Sequence, residues 1–190
     1  MALSRRKRSA PLDPDRHIRR YGNRCLRVRC RPAEPRDPET GKLVRRLWRV
    51  LEADTGVGLA APQVGSDLRV LVLRDPEAEA GRDKHTMINP EIQEFFGPRV
   101  SYEEGCLSFP GLFTDVERPA GVVVRYLDET GHPHRLRAQS LLARIVQHEL
   151  DHLDGILFVD RLPFYRRALL GPQLLMQRLG HVFWTLRRGK

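Results

Sequence analysis

The segment His148-Glu149-Leu150-Asp151-His152 constrains this chain more than any other part of its sequence. Two histidines four residues apart lie on one face of a helix, close enough to hold one metal ion. Glu149 follows the first histidine, so its carboxylate can reach a water molecule on that ion. The pattern therefore predicts a helix that carries two metal ligands and a water-activating base.

An exposed amphipathic helix is the alternative explanation for the same five residues. The flanking positions argue against it because most are apolar and cover much of the helix circumference: Leu141, Leu142, Ile145, Val146, Leu150 and Leu153. We therefore expect this helix to be buried in the core. Two buried imidazoles need polar partners, and one metal ion satisfies both.

A catalytic metal site with three protein ligands needs one more donor beside the two histidines. Downstream of His152, the only further histidine is His181, in the basic tail. Upstream, Cys106 follows a candidate strand, and Gly105 before it would allow a close approach of the backbone. A thiolate binds Zn²⁺ or Fe²⁺ well, and a buried, inert cysteine is the alternative.

Length and composition are typical of one soluble domain: 190 residues, 41% of them hydrophobic, without a long apolar run. No transmembrane segment is expected, and residues 1–20 lack the apolar core of a secretory signal. The cysteines at positions 25, 30 and 106 form no C-x-x-C pair, so a disulfide framework is not expected. A cytoplasmic location is predicted, and import into an organelle by the basic arm is the open alternative.

The chain is strongly basic, with a formal net charge of +9 at pH 7. Lysine occurs only at positions 7, 42, 84 and 190, so nearly all of the 33 basic residues are arginine. The planar guanidinium group suits phosphate recognition, which favours a polyanionic partner such as RNA. A solvated basic surface without such a partner is the alternative.

Apolar residues at helical spacing predict three helical regions, at residues 41–54, 138–153 and 164–188, the last broken at Gly171-Pro172. Residues 55–65 are rich in Gly and Ala and are expected to form a loop. Strand patterns occur at residues 69–73, 86–96, 100–104, 121–127 and 135–137.

Because the strands come in runs without regular alternation with helices, we predict an α+β fold. Antiparallel sheets are expected to pack around the central metal-binding helix, with an N-terminal helix before them and a helical C-terminal tail after them. Three parts are expected along the chain: a basic arm at residues 1–17, a catalytic domain at 18–162 and a basic helical extension at 163–190.

Three segments together resemble the three motifs of the peptide deformylases, in the order in which that family has them. They are Gly-Val-Gly-Leu-Ala-Ala-Pro-Gln at residues 56–63, Glu-Gly-Cys-Leu-Ser at 104–108 and Gln-His-Glu-Leu-Asp-His-Leu-Asp-Gly at 147–155. The resemblance extends from residue 18 to residue 162. It implies a metal-dependent hydrolase that removes the formyl group from the N-terminal formyl-methionine of newly synthesised polypeptides.

The resemblance assigns three residues to the metal: Cys106, His148 and His152. It implies Fe²⁺ as the native divalent ion, with Zn²⁺ or Ni²⁺ as replacements in a purified sample. Glu149 becomes the general base. The donors expected for the oxyanion of the tetrahedral intermediate are the side-chain amide of Gln63 and the backbone N–H of Leu107.

Six residues are expected to contact the substrate: Val57, Gly58, Gly105, Arg118, Leu141 and Ile145. Gly58 would let an extended substrate backbone pair with its loop, and the resemblance implies the same. Leu141 and Ile145 precede the first histidine on about the same helix face, so that with Val57 they could form a methionine-sized pocket. Ordinary core packing is the alternative for these three. Arg118 matches a family position near the main chain of the substrate.

Formyl-methionyl nascent peptides are therefore the expected partners. Contact with the ribosome is predicted through basic residues of the C-terminal region: Arg166, Arg167, Arg178, Arg187 and Arg188. No membrane partner is expected, and the sequence leaves the oligomeric state open. Two other functions also remain open: a zincin-like metallopeptidase, and a non-catalytic ribosome-binding module with a structural metal.

Overall fold

The computed structural model describes residues 18–79, 81 and 83–188, with side chains described as far as residue 179. The basic arm predicted at residues 1–17 lies outside these residues, as do the side chains of Arg187 and Arg188.

The strands form one antiparallel sheet in which each strand pairs with the next along the chain: β1 (Gly58–Ala60), β2 (Val70–Arg74), β3 (Lys84–Cys106), β4 (Phe109–Leu127) and β5 (Pro133–Gln139). The predicted α+β class is confirmed. The several sheets expected from the sequence are one continuous five-stranded sheet. The strands predicted at residues 121–127 and 135–137 lie within β4 and β5, and the strand predicted at 69–73 is β2, shifted by one residue.

The longest feature of the sheet is the hairpin of β3 and β4, and the sequence predicted only parts of it. Residues 86–96 and 100–104 belong to one strand, and β4 begins at Phe109 instead of residue 121. The outer half of the hairpin is mostly exposed, so no core imposes an alternating apolar pattern there. Register shifts interrupt the pairing at several points, including one between Phe96 and Arg99. Such shifts bend a ribbon and increase its twist.

Residues 55–65 were expected to form a loop, and this was wrong. They contain β1, which pairs with β2, and a 3₁₀ turn at Ala61–Val64 that ends at Gly65. The three residues of β1 are small or apolar, and they are too few to show the alternation of polar and apolar residues that is typical of a strand. The hydrogen bonds that make them a strand come from β2, which follows later in the chain.

Four α-helices accompany the sheet: α1 (Pro38–Glu52), α2 (Ser140–Leu153), α3 (Phe164–Leu169) and α4 (Gly171–Arg188). Helix α1 begins three residues before its predicted start because the Asp37 carboxylate caps it by accepting from the Glu39 N–H at 2.9 Å. The predicted break at Gly171 is confirmed as the boundary between α3 and α4. Among the described residues, no helix has both the length and the hydropathy needed to span a membrane.

Helices α1 and α2 pack on opposite faces of the sheet. Successive residues of β2 show this, because Val70 and Val72 join the cluster around α1 whereas Leu71 and Leu73 join the cluster around α2. A third cluster includes Phe109 at the start of β4, Phe158 after α2 and Leu174 of α4. It attaches the C-terminal helices to the end of the molecule where β3 turns into β4.

Helix α2 ends immediately after the second histidine of its motif, in a Schellman turn. The N–H of Gly155 donates to the carbonyl of His152 at 3.2 Å, and the N–H of Ile156 donates to the carbonyl of Asp151 at 2.8 Å. Gly155 has a φ of +73°, and a Cβ there would lie 2.8 Å from the carbonyl oxygen of Arg27. Only glycine fits this position, which fixes the end of the helix.

Replacing Gly155 by alanine should lower the free energy of unfolding by at least about 1–2 kcal/mol, since the left-handed backbone is strained with any Cβ. Urea unfolding of the two variants and the unsubstituted protein under the same conditions measures this. Gly171→Ala is the matched control because a Cβ there meets nothing within 4 Å, and it should change stability by less than about 0.5 kcal/mol. Equal effects of the two substitutions would contradict the proposed role of the turn.

Candidate metal centre and active site

Helix α2 carries both histidines of the motif into the protein interior. His148 is 9% exposed and His152 is 1% exposed. The helix is buried on most of its circumference, which agrees with the apolar flanks seen in the sequence. Burial lowers the pKa of His152 well below its usual value, so its imidazole is neutral. The neutral imidazole is the form that binds a metal ion.

Cys106 belongs to the long hairpin of β3 and β4, and its side chain lies beside the two histidines of α2. It is the last residue of β3, and a two-residue turn connects it to Phe109 of β4. Its Sγ lies 3.2 Å from Nε2 of His152. Ligand atoms of Cys106, His148 and His152 all lie within 4.8 Å of one another. One sulfur and two imidazole nitrogens at this spacing fit a divalent cation such as Zn²⁺ or Fe²⁺ and leave a position open for water.

The orientation of His148 is set by Glu104, two residues before the cysteine. Nδ1 of His148 lies 2.9 Å from Oε2 of Glu104, so this nitrogen carries the proton and Nε2 is left to bind a metal. Burial alone would raise the pKa of Glu104, but hydrogen bonds from His148 and Arg118 lower it to about 2. The carboxylate therefore stays ionised and holds the imidazole in place.

Glu149 is 5% exposed, and its Oε2 has no hydrogen-bond partner among the described residues. Burial raises the pKa of this carboxyl to about 7. A base with a pKa near neutrality is suited to accept a proton and to return it. Gly58 makes room for the carboxylate, since a Cβ at Gly58 would lie 2.5 Å from Oε1 of Glu149. The structure thus gives Gly58 a steric reason to be glycine that the sequence did not suggest.

Gln63 lies in the 3₁₀ turn after β1 and is 1% exposed. Its Oε1 accepts from the backbone N–H of Ala60 at 2.8 Å, which directs the amide nitrogen the other way. That nitrogen lies 3.6 Å from Sγ of Cys106 and 3.3 Å from Oγ of Ser108. An amide donor is therefore held beside the candidate metal ligands.

A cavity of about 690 Å³ opens onto these groups, and Cys106, Gln63, His148 and Glu149 are part of its wall. Leu107 and five of the six residues predicted to contact the substrate also line it: Val57, Gly58, Gly105, Leu141 and Ile145. Ile145 is 5% exposed, whereas Val57 and Leu141 are about two-fifths exposed at the rim. The placement is compatible with a methionine pocket, and this role stays a prediction.

Arg118 is the exception, since it does not line the cavity. Its side chain is buried and donates to both oxygens of Glu104, at 2.7 and 3.0 Å, and to Asp151 at 2.8 Å. These bonds occupy the guanidinium, so the predicted contact with the substrate main chain does not fit its position. Arg118 supports the carboxylate that orients His148.

The residues that orient the site were not recognised from the sequence. Arg144 donates to Glu104 at 2.6 Å and to the carbonyls of Val116 and Val100 at 2.9 and 2.8 Å. Arg161 donates to Asp151 at 3.0 Å. Arg144 lies one helical turn before His148, and this spacing is the only signal that could have pointed to it. Arg118 and Arg161 lie too far along the chain from their partners for a local spacing to indicate these contacts.

Comparison with known proteins identifies the family. A family model described as polypeptide deformylase matches residues 15–168. A peptide deformylase of Prochlorococcus marinus is 43% identical over 148 residues, which cover 78% of this chain and 73% of the relative. Peptide deformylase 2 of Gloeobacter violaceus is 42% identical over 163 residues, covering 85% of this chain and 86% of the relative.

Solved structures give the same result for the fold. The peptide deformylase of Thermus thermophilus has a TM-score of 0.78 at 37% identity, with 86% of this chain and 97% of that chain covered. The enzyme of Synechococcus elongatus, solved in complex with actinonin, has a TM-score of 0.76 at 40% identity, with 83% and 85% covered. With three candidate ligands, a buried base and a lined cavity in one place, the chain belongs to the polypeptide deformylase family.

Proposed function

We propose that this chain hydrolyses the formyl amide at the N-terminal formyl-methionine of newly synthesised polypeptides. The observation that carries the proposal is the convergence of Cys106, His148 and His152 beside the buried, unpaired carboxylate of Glu149. Ligands alone would suit a structural metal. A base with a free oxygen in the same cavity is what hydrolysis needs.

When held by Cys106, His148 and His152, a divalent cation supplies Lewis-acid activation of water at neutral pH. Glu149 takes a proton from the attacking water at Oε2, and the water oxygen bonds to the formyl carbon. The carbon–nitrogen bond then breaks, and Glu149 returns the proton to the leaving amine. The products are formate and a polypeptide with a free N-terminal amine.

Two donors are proposed for the oxyanion that forms on the formyl oxygen: the side-chain amide of Gln63 and the backbone N–H of Leu107. The bond from Ala60 to Oε1 supports the role of Gln63, because it fixes which end of the amide faces the cavity. A donor held in this way costs little reorganisation during the reaction. Removing one such donor typically lowers kcat by roughly 10²–10³-fold.

Fe²⁺ is the ion proposed for the cell, and Zn²⁺ or Ni²⁺ for protein purified in air. Ferrous thiolate sites are oxygen-sensitive, and affinity alone would favour Zn²⁺ over Fe²⁺. The thiolate of Cys106 reduces the formal charge of the centre, which makes the ion a weaker Lewis acid. A formyl carbonyl is less hindered and more electrophilic than an ordinary amide, so it tolerates the weaker acid.

The two other functions fit the site less well. A zincin-like peptidase takes its third ligand from downstream of the helix, whereas here the third candidate ligand, Cys106, lies upstream. A module with only a structural metal has no need of the Glu149 base or of an amide aimed at the centre. Removal of the formyl group therefore remains the function that the site supports best.

The proposed place of action is the cytoplasm, where nascent polypeptides carry the formyl group. The three cysteines at positions 25, 30 and 106 are free, which supports a reducing compartment. Ribosome contact is proposed through the C-terminal extension, where Arg166, Arg167 and Arg178 are exposed. Import into an organelle by residues 1–17 is the alternative location.

Formate release tests the function directly. Protein purified without oxygen should release formate from formyl-Met-Ala-Ser and should leave an internally quenched, unformylated peptide intact. The physical reason is that the thiolate-bound centre is too weak a Lewis acid for ordinary peptide bonds. Cleavage of the quenched peptide at a comparable rate would favour the peptidase instead. Metal analysis of the same sample identifies the ion.

Replacing Glu149 by alanine should lower kcat by roughly 10²–10⁴-fold, because no other group takes the proton of the attacking water. Metal content should stay at about one ion per chain, since the three ligands are intact. Glu103→Ala is the matched control because Glu103 is an exposed carboxylate on the same cavity. Activity of Glu149→Ala close to that of the control would rule out this mechanism.

Ribosome contact is tested by the double substitution Arg166→Gln and Arg178→Gln, which removes two exposed charges from the extension. Cosedimentation with ribosomes should weaken by roughly tenfold at about 0.1 M salt. With two cations fewer, the protein releases fewer counterions from RNA when it binds. The pair Arg24→Gln and Arg135→Gln removes two exposed charges elsewhere and should have little effect. Equal losses for the two pairs would exclude a specific role of the extension.

A further inference from the structure

Helix α1 carries four basic residues on one face: Lys42, Arg45, Arg46 and Arg49. Their spacing of three, four and seven residues stacks them along two turns, and we call this set the basic stripe. Lys42, Arg45 and Arg49 are exposed and Arg46 is half-buried. The remaining faces of α1 hold the helix against the sheet through apolar residues such as Leu43, Leu47 and Val50.

Two cations of the basic stripe, Arg45 and Arg49, form no ion pair with an acidic residue in the part of the chain that the structure describes, whereas Lys42 pairs with Glu39. Like charges three or four residues apart on a helix repel one another and destabilise it. Glu39 is the one acidic residue among the described residues that line the cleft beside the stripe, and it pairs with Lys42 at 2.7 Å. Solubility alone would be served equally well by alternating charges. The stripe therefore keeps a repulsion that a polyanion would relieve.

The stripe also forms one wall of a concave site. The cleft has a volume of about 450 Å³, and its opposite wall is made by Ser66 and Leu68. One more cation, Arg19, lies against Gly65 beside this wall, while Arg31, which bridges to Leu68 through its backbone, is paired with Asp67 at 3.0 Å. Neither the stripe nor the cleft contributes to the cavity of the metal centre. The cleft beside the basic stripe is thus a separate site, on the face of the sheet opposite α2.

We propose that the basic stripe of α1 binds the phosphate backbone of RNA. The guanidinium fork matches phosphate oxygens, and the stripe extends over about 10 Å of helix, enough to reach more than one phosphate. The choice of RNA rests on the proposed function, because an enzyme acting on nascent chains works beside ribosomal RNA.

An anionic membrane is the competing polyanion. A helix that binds a membrane surface inserts its apolar face between the lipids. The apolar face of α1 is instead packed into the core against β2, where Val70 and Val72 are fully buried. Only charges are left to face a partner, and this arrangement favours a nucleic-acid backbone over a bilayer.

The test compares two double variants of the full-length, metal-loaded protein. Arg45→Gln with Arg49→Gln removes two cations of the stripe, and Arg24→Gln with Arg135→Gln removes two exposed cations elsewhere. Fluorescence anisotropy with a labelled RNA duplex of about 20 base pairs measures affinity as a function of salt. The stripe variant should bind roughly tenfold more weakly at about 0.1 M salt, with a salt slope smaller by about 1.5. The control pair should change affinity by less than about twofold.

Equal losses of RNA affinity in the two pairs would overturn the proposal, because they would reflect net charge alone. It would also be overturned if the stripe variant kept its RNA affinity but lost binding to phosphatidylcholine vesicles containing about a quarter phosphatidylglycerol. Formate release from formyl-Met-Ala-Ser is measured on the same samples and should be unchanged in both variants. A failure of the deformylase function is therefore recognised separately from a failure of RNA binding.

Discussion

The carboxylate of Glu104 is the group on which the site depends. It is buried near the end of β3 and accepts hydrogen bonds from Arg118 of β4 and from Arg144 and His148 of α2. One side chain thus joins both strands of the long hairpin to helix α2, which carries two of the candidate metal ligands. Because Cys106 follows only two residues later, the same contacts place its Sγ next to Nε2 of His152.

Buried charges are expensive to desolvate, and this network offsets that cost because each side-chain nitrogen of Arg118 and both oxygens of Glu104 and of Asp151 form hydrogen bonds. Asp151 extends it by accepting from Arg118 and Arg161, so that the segment after α2 is tied to the same group of charges. A well-packed apolar cluster could give similar stability. It could not hold the proton on Nδ1 of His148, which leaves Nε2 of this imidazole free to act as the proposed metal ligand.

The candidate site also contains polar atoms with the opposite pattern, since they are buried without partners among the described residues. Oε2 of Glu149 and Nδ1 of His152 are buried without a hydrogen bond among the described residues. Unsatisfied buried polar atoms lower stability and are uncommon in folded proteins. Glu149 lines the cavity beside Gly58, which leaves room for its carboxylate, and a free carboxylate oxygen in that position is typical of a functional site.

Local sequence spacing and long-range tertiary contacts determine different parts of this protein. Local spacing predicted a helix that brings His148 and His152 to one face beside Glu149, because four residues span about one turn of any α-helix. The sequence also indicated Cys106 as a candidate third ligand. It follows a candidate strand, and a cysteine thiolate binds Zn²⁺ or Fe²⁺ well. The long hairpin, the strand at Gly58, the supporting role of Arg118 and the network around Glu104 were decided only by tertiary structure. Each depends on partners that the sequence separates by more than a helical turn, and no local pattern records which distant groups will meet.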